Sequence, residues 1–394
     1  MRILYVAGRW DPTVQNEHSG SDFGAFNQLK KQPETEVFLA GPFEDNPNIF
    51  EKIITKLYRL FSKKRWIKYH PSGLRKAGKI VNQAIEELQP DVIFSKYSAP
   101  LVHAKIDRPF VYMCDSTVKW TKDVWPIFSK LGFRIMENWE AKSIRECDRI
   151  ITFSDASAEI IKTYYRKDSS KVVVMPIPAY VPEFIIPAKD SIHKQIGDKL
   201  HLLLVGKRFH LRGMDIAIET TQLLNEKGYP TELRIVGIDG VNQSNIRFLG
   251  NFEKEQPEEL VAYFDCFNWA DLLIHPSRFH SAGIVISEAA AFGLPTITNA
   301  AGGLATSVQD DVTGIVLPEN SSPSEYVNAI ISLIKDEKRY SRYRKAARKR
   351  FDEKVNWDVS GKLLFNIIQE EVHRDKASQK EHNQNHFSNK PDEK

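Results

Sequence analysis

The 394-residue sequence predicts an α/β protein built from two Rossmann-like, doubly wound domains that face a deep cleft. Short apolar, β-branched runs alternate with segments of helical length, which is typical of buried parallel strands and their crossover helices. A proline-rich stretch, residues 176–187, interrupts the alternation, which then restarts. The length agrees, because a single hydrophobic core stops growing beyond about 250 to 300 residues.

The predicted strands form two sets of six. The first set is residues 3–7, 37–40, 91–95, 110–113, 150–153 and 172–175, and the second is 202–205, 233–236, 246–249, 272–275, 295–298 and 314–317. We therefore predict one domain over residues 1–180 and another over 190–355. A helix over 356–375 is expected to pack back toward the first domain, and the polar residues 376–394 are expected to form a disordered tail.

Composition excludes several classes of protein. A net charge of only +4 gives no indication of a nucleic-acid partner. Three widely spaced cysteines, without CxxC spacing, indicate neither a zinc site nor a disulfide framework, and fit a reducing cytoplasm. The N-terminus lacks the pattern of a signal peptide, and no run of 18 apolar residues predicts a membrane span.

A lone Glu288 lies within an apolar helical segment that follows the strand 272–275. Gly283 precedes the predicted helix 284–292, so the N–H groups of Gly283, Ile284 and Val285 offer a positive helix end to a phosphate. Helical side chains lean toward the N-terminus, so Glu288 can reach the same place and accept hydrogen bonds from sugar hydroxyls, such as those of a ribose. The alternative is a Glu on the helix surface.

Two further loops follow strands that point toward the cleft. Lys207, Arg208 and Arg212 cluster after the strand 202–205 and could hold phosphates, although a solvated loop would look similar. Gly20 and Ser21 lie after the first strand, in a loop before a helix predicted over residues 26–31. Small residues there would let the backbone approach a ligand across the cleft, and a flexible surface loop is the alternative.

These segments resemble the retaining, GT-B-fold glycosyltransferases of family four, many of which build bacterial lipopolysaccharide, capsule and glycolipids. The resemblance rests on residues 280–295, HSAGIVISEAAAFGLP, followed by Gly302-Gly303 and by DVTG at 311–314. Order, spacing and both flanking strands match the family motif in which two acidic residues are separated by seven. The resemblance extends over roughly residues 1–370.

The resemblance implies an acceptor-binding N-terminal domain and a C-terminal domain that binds a nucleotide sugar. It implies Asp115 and His280 as catalytic residues. The residues implied to bind the donor are Gly20, Ser21, Lys207, Arg212, Gly283, Ile284, Val285 and Glu288. Neither a metal nor a cofactor is expected, and the co-substrate is a UDP- or GDP-sugar. Transfer is expected on the front face of the sugar, with the leaving phosphate helping to deprotonate the acceptor.

Four positions depart from the family pattern. His280 stands where the family has its first acidic residue, and imidazole cannot accept hydrogen bonds as a carboxylate does. Lys207 and Arg212 exchange the two cation types of the family's diphosphate motif, which moves the bidentate fork from one position to the other. Asp115 lies where many relatives have a His, although a subset has Asp-x-Thr there; a helix N-cap is the alternative.

The segment 51–70 combines apolar residues at helical spacing with seven lysines and arginines. It is predicted either to lie on an anionic membrane or to bind an anionic, lipid-linked acceptor. A helix that packs its apolar face on the sheet is the alternative. The expected acceptor is a glycan, a lipid-linked molecule or another hydroxyl compound, and the expected location is the cytoplasm, peripheral to the inner face of the membrane.

Two other classes of function remain at this point. A nicotinamide-dependent dehydrogenase would share the doubly wound pattern, but no strand is followed by GxGxxG. A non-catalytic nucleotide-sugar binder, or a subunit of a glycosyltransferase complex, is the stronger alternative, because His280 interrupts the acidic motif.

Overall fold

The computed structural model describes residues 1–15, 20–124, 126–192 and 194–388. It contains two six-stranded sheets in which every pair of neighbouring strands is parallel. The predicted α/β class with two doubly wound units is confirmed.

The first sheet has the strand order β2-β1-β3-β4-β5-β6. Its strands are β1 Arg2–Val6, β2 Glu36–Ala40, β3 Val92–Ser95, β4 Phe110–Cys114, β5 Arg149–Thr152 and β6 Val172–Val174. The helices of this half are α1 Ser21–Lys30, α2 Ile49–Ser62, α3 Pro71–Leu88, α4 Val118–Val124, α5 Lys130–Glu146 and α6 Asp155–Thr163.

The second sheet has the order β12-β11-β10-β7-β8-β9. Its strands are β7 Leu200–Val205, β8 Thr231–Val236, β9 Ile246–Phe248, β10 Leu272–His275, β11 Thr296–Asn299 and β12 Gly314–Leu317. The helices are α7 Met214–Glu226, α8 Pro257–Trp269, α9 Ile284–Ala291, α10 Leu304–Ser307, α11 Pro323–Ile334, α12 Glu337–Glu353 and α13 Trp357–Ser388.

Alternating residues of each strand fill the cores on the two faces of a sheet. In β1, Ile3 and Tyr5 belong to one cluster and Leu4 and Val6 to another. Strands buried on both faces read as continuous apolar runs, which explains why they could be predicted from sequence.

The strand orders place a topological switch point in each sheet. In the first sheet the chain moves from β1 to β2 on one side and continues with β3 on the other; in the second, β8 and β10 flank β7. Loops that leave the carboxyl ends of strands at such a point diverge and leave a crevice, where ligands of doubly wound folds bind. The loops after β1, β3, β7 and β10 are therefore the ones to examine.

Helix α13 packs on the first sheet although it follows the second in sequence. Trp357, Leu364 and Ile368 are buried in the same cluster as β1, and Gln28 of α1 donates from Nε2 to Asp358 Oδ1 at 2.7 Å. The helix continues past residue 375 to Ser388, into the segment predicted to be a disordered tail, and residues 389–394 lie outside the described part of the chain. The domain limits themselves stay a prediction.

Helix α1 begins earlier than predicted. Gly20 is its N-cap with φ 73°, and Ser21 is its first residue, so Ser21 belongs to the helix rather than to a loop. His18 and Ser19, which precede it, lie outside the described residues.

Candidate active site

The loops after β7 and β10 pack against each other at the second switch point. Gly213 has φ 66°, and a Cβ atom there would lie 1.9 Å from the carbonyl oxygen of Pro276, so glycine is required for this contact. Arg212 donates from Nη1 to the carbonyl oxygen of Phe279 at 2.7 Å. The guanidinium of Arg212 is thereby fixed beside the segment that leads into α9.

The first turn of α9 lies next along the chain. Gly283 is the N-cap with φ 67° and supplies no side-chain cap. The first N–H groups of a helix have no intrahelical partner, and together they form the positive end of the helix dipole. The start of α9 therefore provides donors for an anion beside Arg212, with Val285 buried and Ile284 half-buried.

Two cations of the loop after β7 lie in different environments. Burial, followed by the positive charge of Arg208, lowers the pKa of Arg212 to about 10, so Arg212 is charged at neutral pH. Lys207 is exposed after β7, and no salt bridge involves it within the described parts of the chain. The loop can therefore present positive charge to a diphosphate.

His280 is paired with a second histidine from the end of β10. His280 Nδ1 and His275 Nε2 are 2.9 Å apart, and His275 Nδ1 is buried without a partner in the described residues. An orphaned N–H costs more than a bare ring nitrogen, so we place the proton of His275 on Nε2, donating to His280. His280 then carries its own proton on Nε2.

Both rings are neutral near pH 7. Burial, and next the charge of Arg212, lowers the pKa of His275 to about 3. The same two causes, followed by His275, lower the pKa of His280 well below its ordinary value. His280 is therefore a neutral hydrogen-bond donor at the position where the family pattern has a carboxylate.

Glu288 is buried but already has protein partners. Lys254 Nζ lies 3.1 Å from Oε1, and the Tyr263 hydroxyl donates to Oε2 at 2.6 Å. Both partners flank or belong to α8. The alternative, a Glu on the exposed surface of the helix, is wrong, because Glu288 is only 6% exposed. Any sugar hydroxyl that Glu288 binds must share it with Lys254 and Tyr263.

Asp115, at the end of β4, faces the C-terminal half across the cleft. Ser281 Oγ donates to Asp115 Oδ2 at 2.9 Å, and Ser157 Oγ donates to the Asp115 carbonyl oxygen at 3.0 Å. Asp115 Oδ1 is buried and has no partner within the described chain. Asp115 thus tethers the loop that holds His280 while one carboxylate oxygen remains available to accept.

The first switch point holds a buried charge cluster that the sequence interpretation missed. Lys96, which follows β3, donates to Ser21 Oγ and lies 3.6 Å from Asp22 Oδ1. Tyr97 Oη donates to Asp22 Oδ2 at 2.9 Å. Burial lowers the pKa of Lys96, and the charges of Asp22 and then Asp115 oppose that shift.

Helix α2 buries one face and exposes two others. Ile54 and Tyr58 are half-buried and pack against a core cluster that contains Trp66 and Phe133. This cluster contains no strand residue, so the helix packs on α5 and neighbouring loops rather than on the sheet that the alternative expected. The exposed apolar residues of α2 are Ile49, Phe50, Ile53, Leu57, Leu60 and Phe61. The exposed basic residues are Lys52, Lys56 and Arg59. The apolar spacing therefore serves solvent-facing positions as well as the core.

The described residues contain neither a metal-binding cluster nor a membrane-spanning helix. No group of three or more His, Cys, Asp or Glu side chains that could hold a metal ion occurs in the part of the chain that is described. Among the same residues, no helix is both long and apolar enough to cross a membrane.

Family models match both halves of the chain. Residues 27–178 match Glycosyltransferase Family 4, and residues 186–350 match Glycosyl transferases group 1. The chain belongs to the family 4, or group 1, glycosyltransferases. The D-inositol 3-phosphate glycosyltransferase of Stackebrandtia nassauensis is 29% identical over 223 residues, and that of Xylanimonas cellulosilytica is 25% identical over 256. The first match covers 52% of this chain and 50% of the relative, so the chain matches about half the length of this curated relative.

Solved glycosyltransferase structures share the fold of this family 4 chain. The sucrose-phosphate synthase of Thermosynechococcus elongatus aligns with a TM-score of 0.65 at 16% identity, over 94% of this chain and 98% of that protein. WaaG, a glycosyltransferase involved in lipopolysaccharide biosynthesis, aligns with 0.58 at 18% identity, over 93% and 99%. HepE of Anabaena in complex with UDP-glucose aligns with 0.58 at 17%, over 96% and 100%. The predicted GT-B fold is confirmed.

The predicted site residues of this family 4 protein lie at the two switch points. Arg212, His280 and Gly283 lie together at the second switch point, and Asp115 reaches them through Ser281. Gly20 and Ser21 lie at the first switch point, joined to Lys96. The sequence signal for Lys96 is a lysine directly after a predicted strand. A solvated lysine would give the same signal.

Proposed function

We propose that this family 4 protein transfers a sugar, with retention, from a nucleoside-diphosphate sugar to a hydroxyl of a glycan, lipid-linked or other acceptor. The observation that carries the proposal is the meeting of Arg212 with the uncapped first turn of α9 at a switch point. Cationic and N–H donors aimed at one place suit a diphosphate.

The proposed reaction breaks the bond between the anomeric carbon and the diphosphate oxygen. The acceptor oxygen forms its bond to that carbon on the same face, and the acceptor proton passes to the leaving phosphate. Negative charge grows on the diphosphate, where Arg212, Lys207 and the first N–H groups of α9 stabilise it. No step requires a metal ion, and no protein nucleophile is assigned.

We assign Asp115 and His280 to the transferred sugar. Asp115 Oδ1 accepts a hydrogen bond from a sugar or acceptor hydroxyl, because it is buried and has no partner within the described chain. His280 donates from Nε2, because its Nδ1 is engaged by His275. Glu288 accepts from the donor's ribose while remaining paired with Lys254.

UDP and GDP are the proposed nucleotides, and a thermal-shift screen tests this choice. Purified protein is incubated with UDP, GDP, dTDP, ADP and their common sugars, and release of nucleotide is then followed with the sugar that stabilises most. A true ligand at about a hundredfold excess over its Kd stabilises by about 2.7 kcal/mol. We expect the shift to disappear in Arg212→Met and to persist in Arg342→Met, an exposed arginine elsewhere in the same half.

A second candidate function is a non-catalytic nucleotide-sugar binder or complex subunit. The neutral His280 in the acidic motif favours it. Nucleotide-dependent stabilisation without turnover, over a panel of hydroxyl acceptors, would select this candidate. Absence of stabilisation by every nucleotide would contradict both.

We propose that α2 rests on an anionic membrane, at the inner face, as a peripheral contact. Its exposed apolar residues border the exposed basic residues, a combination that favours the interface of an anionic bilayer. Cosedimentation with vesicles containing phosphatidylglycerol at low salt tests the contact. We expect Phe61→Ser to weaken binding, and Phe184→Ser to leave it unchanged, since the two phenylalanines are 80% and 79% exposed. Equal binding to neutral vesicles would contradict the proposal.

A further inference from the structure

A basic cavity lies where α2 ends, opposite the loop after β7. Its volume is about 580 Å³. Its basic lining residues are Arg59, Lys63, Lys64, Arg65 and Arg208. Among the described residues that line it, none is acidic. We call it the α2–Arg208 cavity.

The fold holds this cluster in place. After α2 ends, Lys63 adopts φ 54°, which turns the chain back. Arg65 N donates to the Ile127 carbonyl oxygen at 3.0 Å, and Ser129 N donates to the Arg65 carbonyl oxygen at 2.8 Å. The next residue, Trp66, is buried beside Phe128. The basic residues are therefore held in place by a packed core and do not lie on a free loop.

Four of the five basic residues of the cluster have no acidic partner within the described parts of the chain. Arg149, which is buried, is by contrast paired with Glu371 at 2.6 Å. No salt bridge in the described structure involves Arg59, Lys63, Lys64 or Arg65. Like charges held close together repel, and a bound anion relieves that repulsion. The cavity is thus suited to an anionic ligand.

The position of the cavity limits which anion this is. Arg208 belongs to the same loop as Lys207 and Arg212, so the cavity borders the proposed donor site. Its other basic residues come from the N-terminal half, which the family resemblance assigns to the acceptor. The exposed apolar residues Leu60 and Phe61 adjoin it along α2.

We infer that the α2–Arg208 cavity binds a phosphate or diphosphate carried by the sugar acceptor. The inference rests on the proposed transfer function, because that function makes a ligand between the two halves an acceptor. Lysine and arginine together suit phosphate oxygens. A volume of about 580 Å³ is ample for a diphosphate. The phosphate belongs either to a lipid-linked acceptor or to a free phosphate ester.

Titration calorimetry of the full chain with inorganic pyrophosphate tests the site. The test variant is the triple change Arg59→Gln, Lys63→Gln and Arg65→Gln. The matched control is Lys76→Gln, Lys79→Gln and Lys105→Gln, which removes the same charge from exposed positions of the same half. Arg212→Met removes pyrophosphate binding at the donor site, so the titrations are done in that background.

We expect the test variant to bind pyrophosphate at least tenfold more weakly than the Arg212→Met parent, and the control to stay within twofold of it. Unchanged thermal unfolding of the test variant shows that it is folded. Equal affinities of test and control variants would overturn the inference. Nucleotide titration of the wild-type chain is done separately. Nucleotide binding without the pyrophosphate effect defeats the cavity alone. The pyrophosphate effect without nucleotide binding defeats the proposed function, and it leaves an anion site whose ligand is no longer a sugar acceptor.

Vesicles distinguish the two phosphate sources. Neutral phosphatidylcholine vesicles carry either a few per cent of a long-chain polyprenyl phosphate or phosphatidylglycerol of equal charge. The test variant loses some affinity for phosphatidylglycerol, because Arg59 also belongs to the proposed membrane contact. A loss on polyprenyl phosphate that exceeds this loss at least tenfold indicates a lipid-linked acceptor, and equal losses on the two lipids would overturn the inference. If the test variant loses affinity for pyrophosphate but for neither kind of vesicle, the ligand is a free phosphate ester. A loss for phosphatidylglycerol alone would overturn the inference, because it indicates a general membrane surface.

Discussion

The two switch points of this protein handle buried charge in opposite ways. In the first sheet, Lys96 is paired with Asp22 and Ser21, and Asp22 is further held by Tyr97. In the second sheet, Arg212 donates to the backbone carbonyl oxygen of Phe279. In the first sheet the charges are paired within the protein, and their pairing contributes to the stability of the fold. The second leaves a charge that a ligand can satisfy, and this difference supports the proposed donor site in the C-terminal half.

Replacing Lys96 or Arg212 by methionine is expected to give the largest difference between the two switch points. Lys96→Met leaves Asp22 buried without its charge partner, both side chains being at most 3% exposed, and costs about 3 to 5 kcal/mol of unfolding free energy. Arg212→Met removes one hydrogen bond to a carbonyl and costs about 1 kcal/mol. Nucleotide affinity is expected to fall about hundredfold in Arg212→Met alone. Denaturant unfolding and nucleotide titration measure both; equal destabilisation by the two changes would contradict the contrast.

The histidine pair predicts a pH dependence specific to the second switch point. His275 is fully buried and has a pKa of about 3, against about 6.5 in the unfolded chain. A lowered histidine pKa means that the unfolded chain binds more protons between these values, so stability is lost as pH falls below about 6.5. His275 should account for about 2 kcal/mol of loss between pH 7 and pH 5.

His275→Asn is the variant that tests this pH dependence. We expect it to be less stable at pH 7 but to show a smaller loss between pH 7 and pH 5, measured by denaturant unfolding. His373, on α13, provides the matched control as His373→Asn, which should keep the full loss. A wild-type slope in His275→Asn would show that other groups are responsible.

His280→Glu sharpens the comparison at the sugar itself. The change restores the acidic residue of the family pattern and replaces a neutral donor by an acceptor beside Arg212. We expect the ratio of kcat/KM between two sugars on the same nucleotide to change about tenfold, because a buried polar group discriminates sugars by pairing. His280→Gln, which keeps a donor, should change the ratio less. Equal ratios in all three proteins would remove His280 from the sugar contact.

The smallest expected effect concerns the tether between the halves. Ser281→Ala removes the donor to Asp115 Oδ2, a hydrogen bond of 2.9 Å. A double-mutant cycle with Asp115→Ala should give a coupling of about 1 kcal/mol in thermal stability. Ser277→Ala, in the same loop but directed at His275, is the control that should show no coupling to Asp115. Zero coupling for Ser281 would mean that the tether is not formed in solution.

The strands and the start of α9 could be predicted from sequence, because each depends on local pattern. Continuous apolar runs identify strands buried on both faces, and Gly283 before an apolar helix identifies an uncapped helix end. The partners of buried charges could not be predicted in this way. Lys96 is buried because Asp22, 74 residues earlier, is brought to it by the β1–β3 pairing. Glu288 is likewise paired by residues from around α8.

Helix α2 illustrates the same limit at the surface. Its apolar and basic spacing was visible in the sequence, but spacing does not determine which apolar residues face the core. Ile54 and Tyr58 face inward because Trp66 and Phe133 are packed there. The remaining apolar residues stay exposed, and their role depends on a partner that the sequence does not contain.

The chain passes between its two halves twice, and the passages are bonded to each other. The first runs through residues 176–187 and the second leads into α13, and Ala179 N donates to the Val355 carbonyl oxygen at 2.9 Å. This hydrogen bond joins the two passages into one connection at a single point. The two halves therefore share a common pivot, on the opposite side of which the loops that carry Asp115 and Ser281 meet.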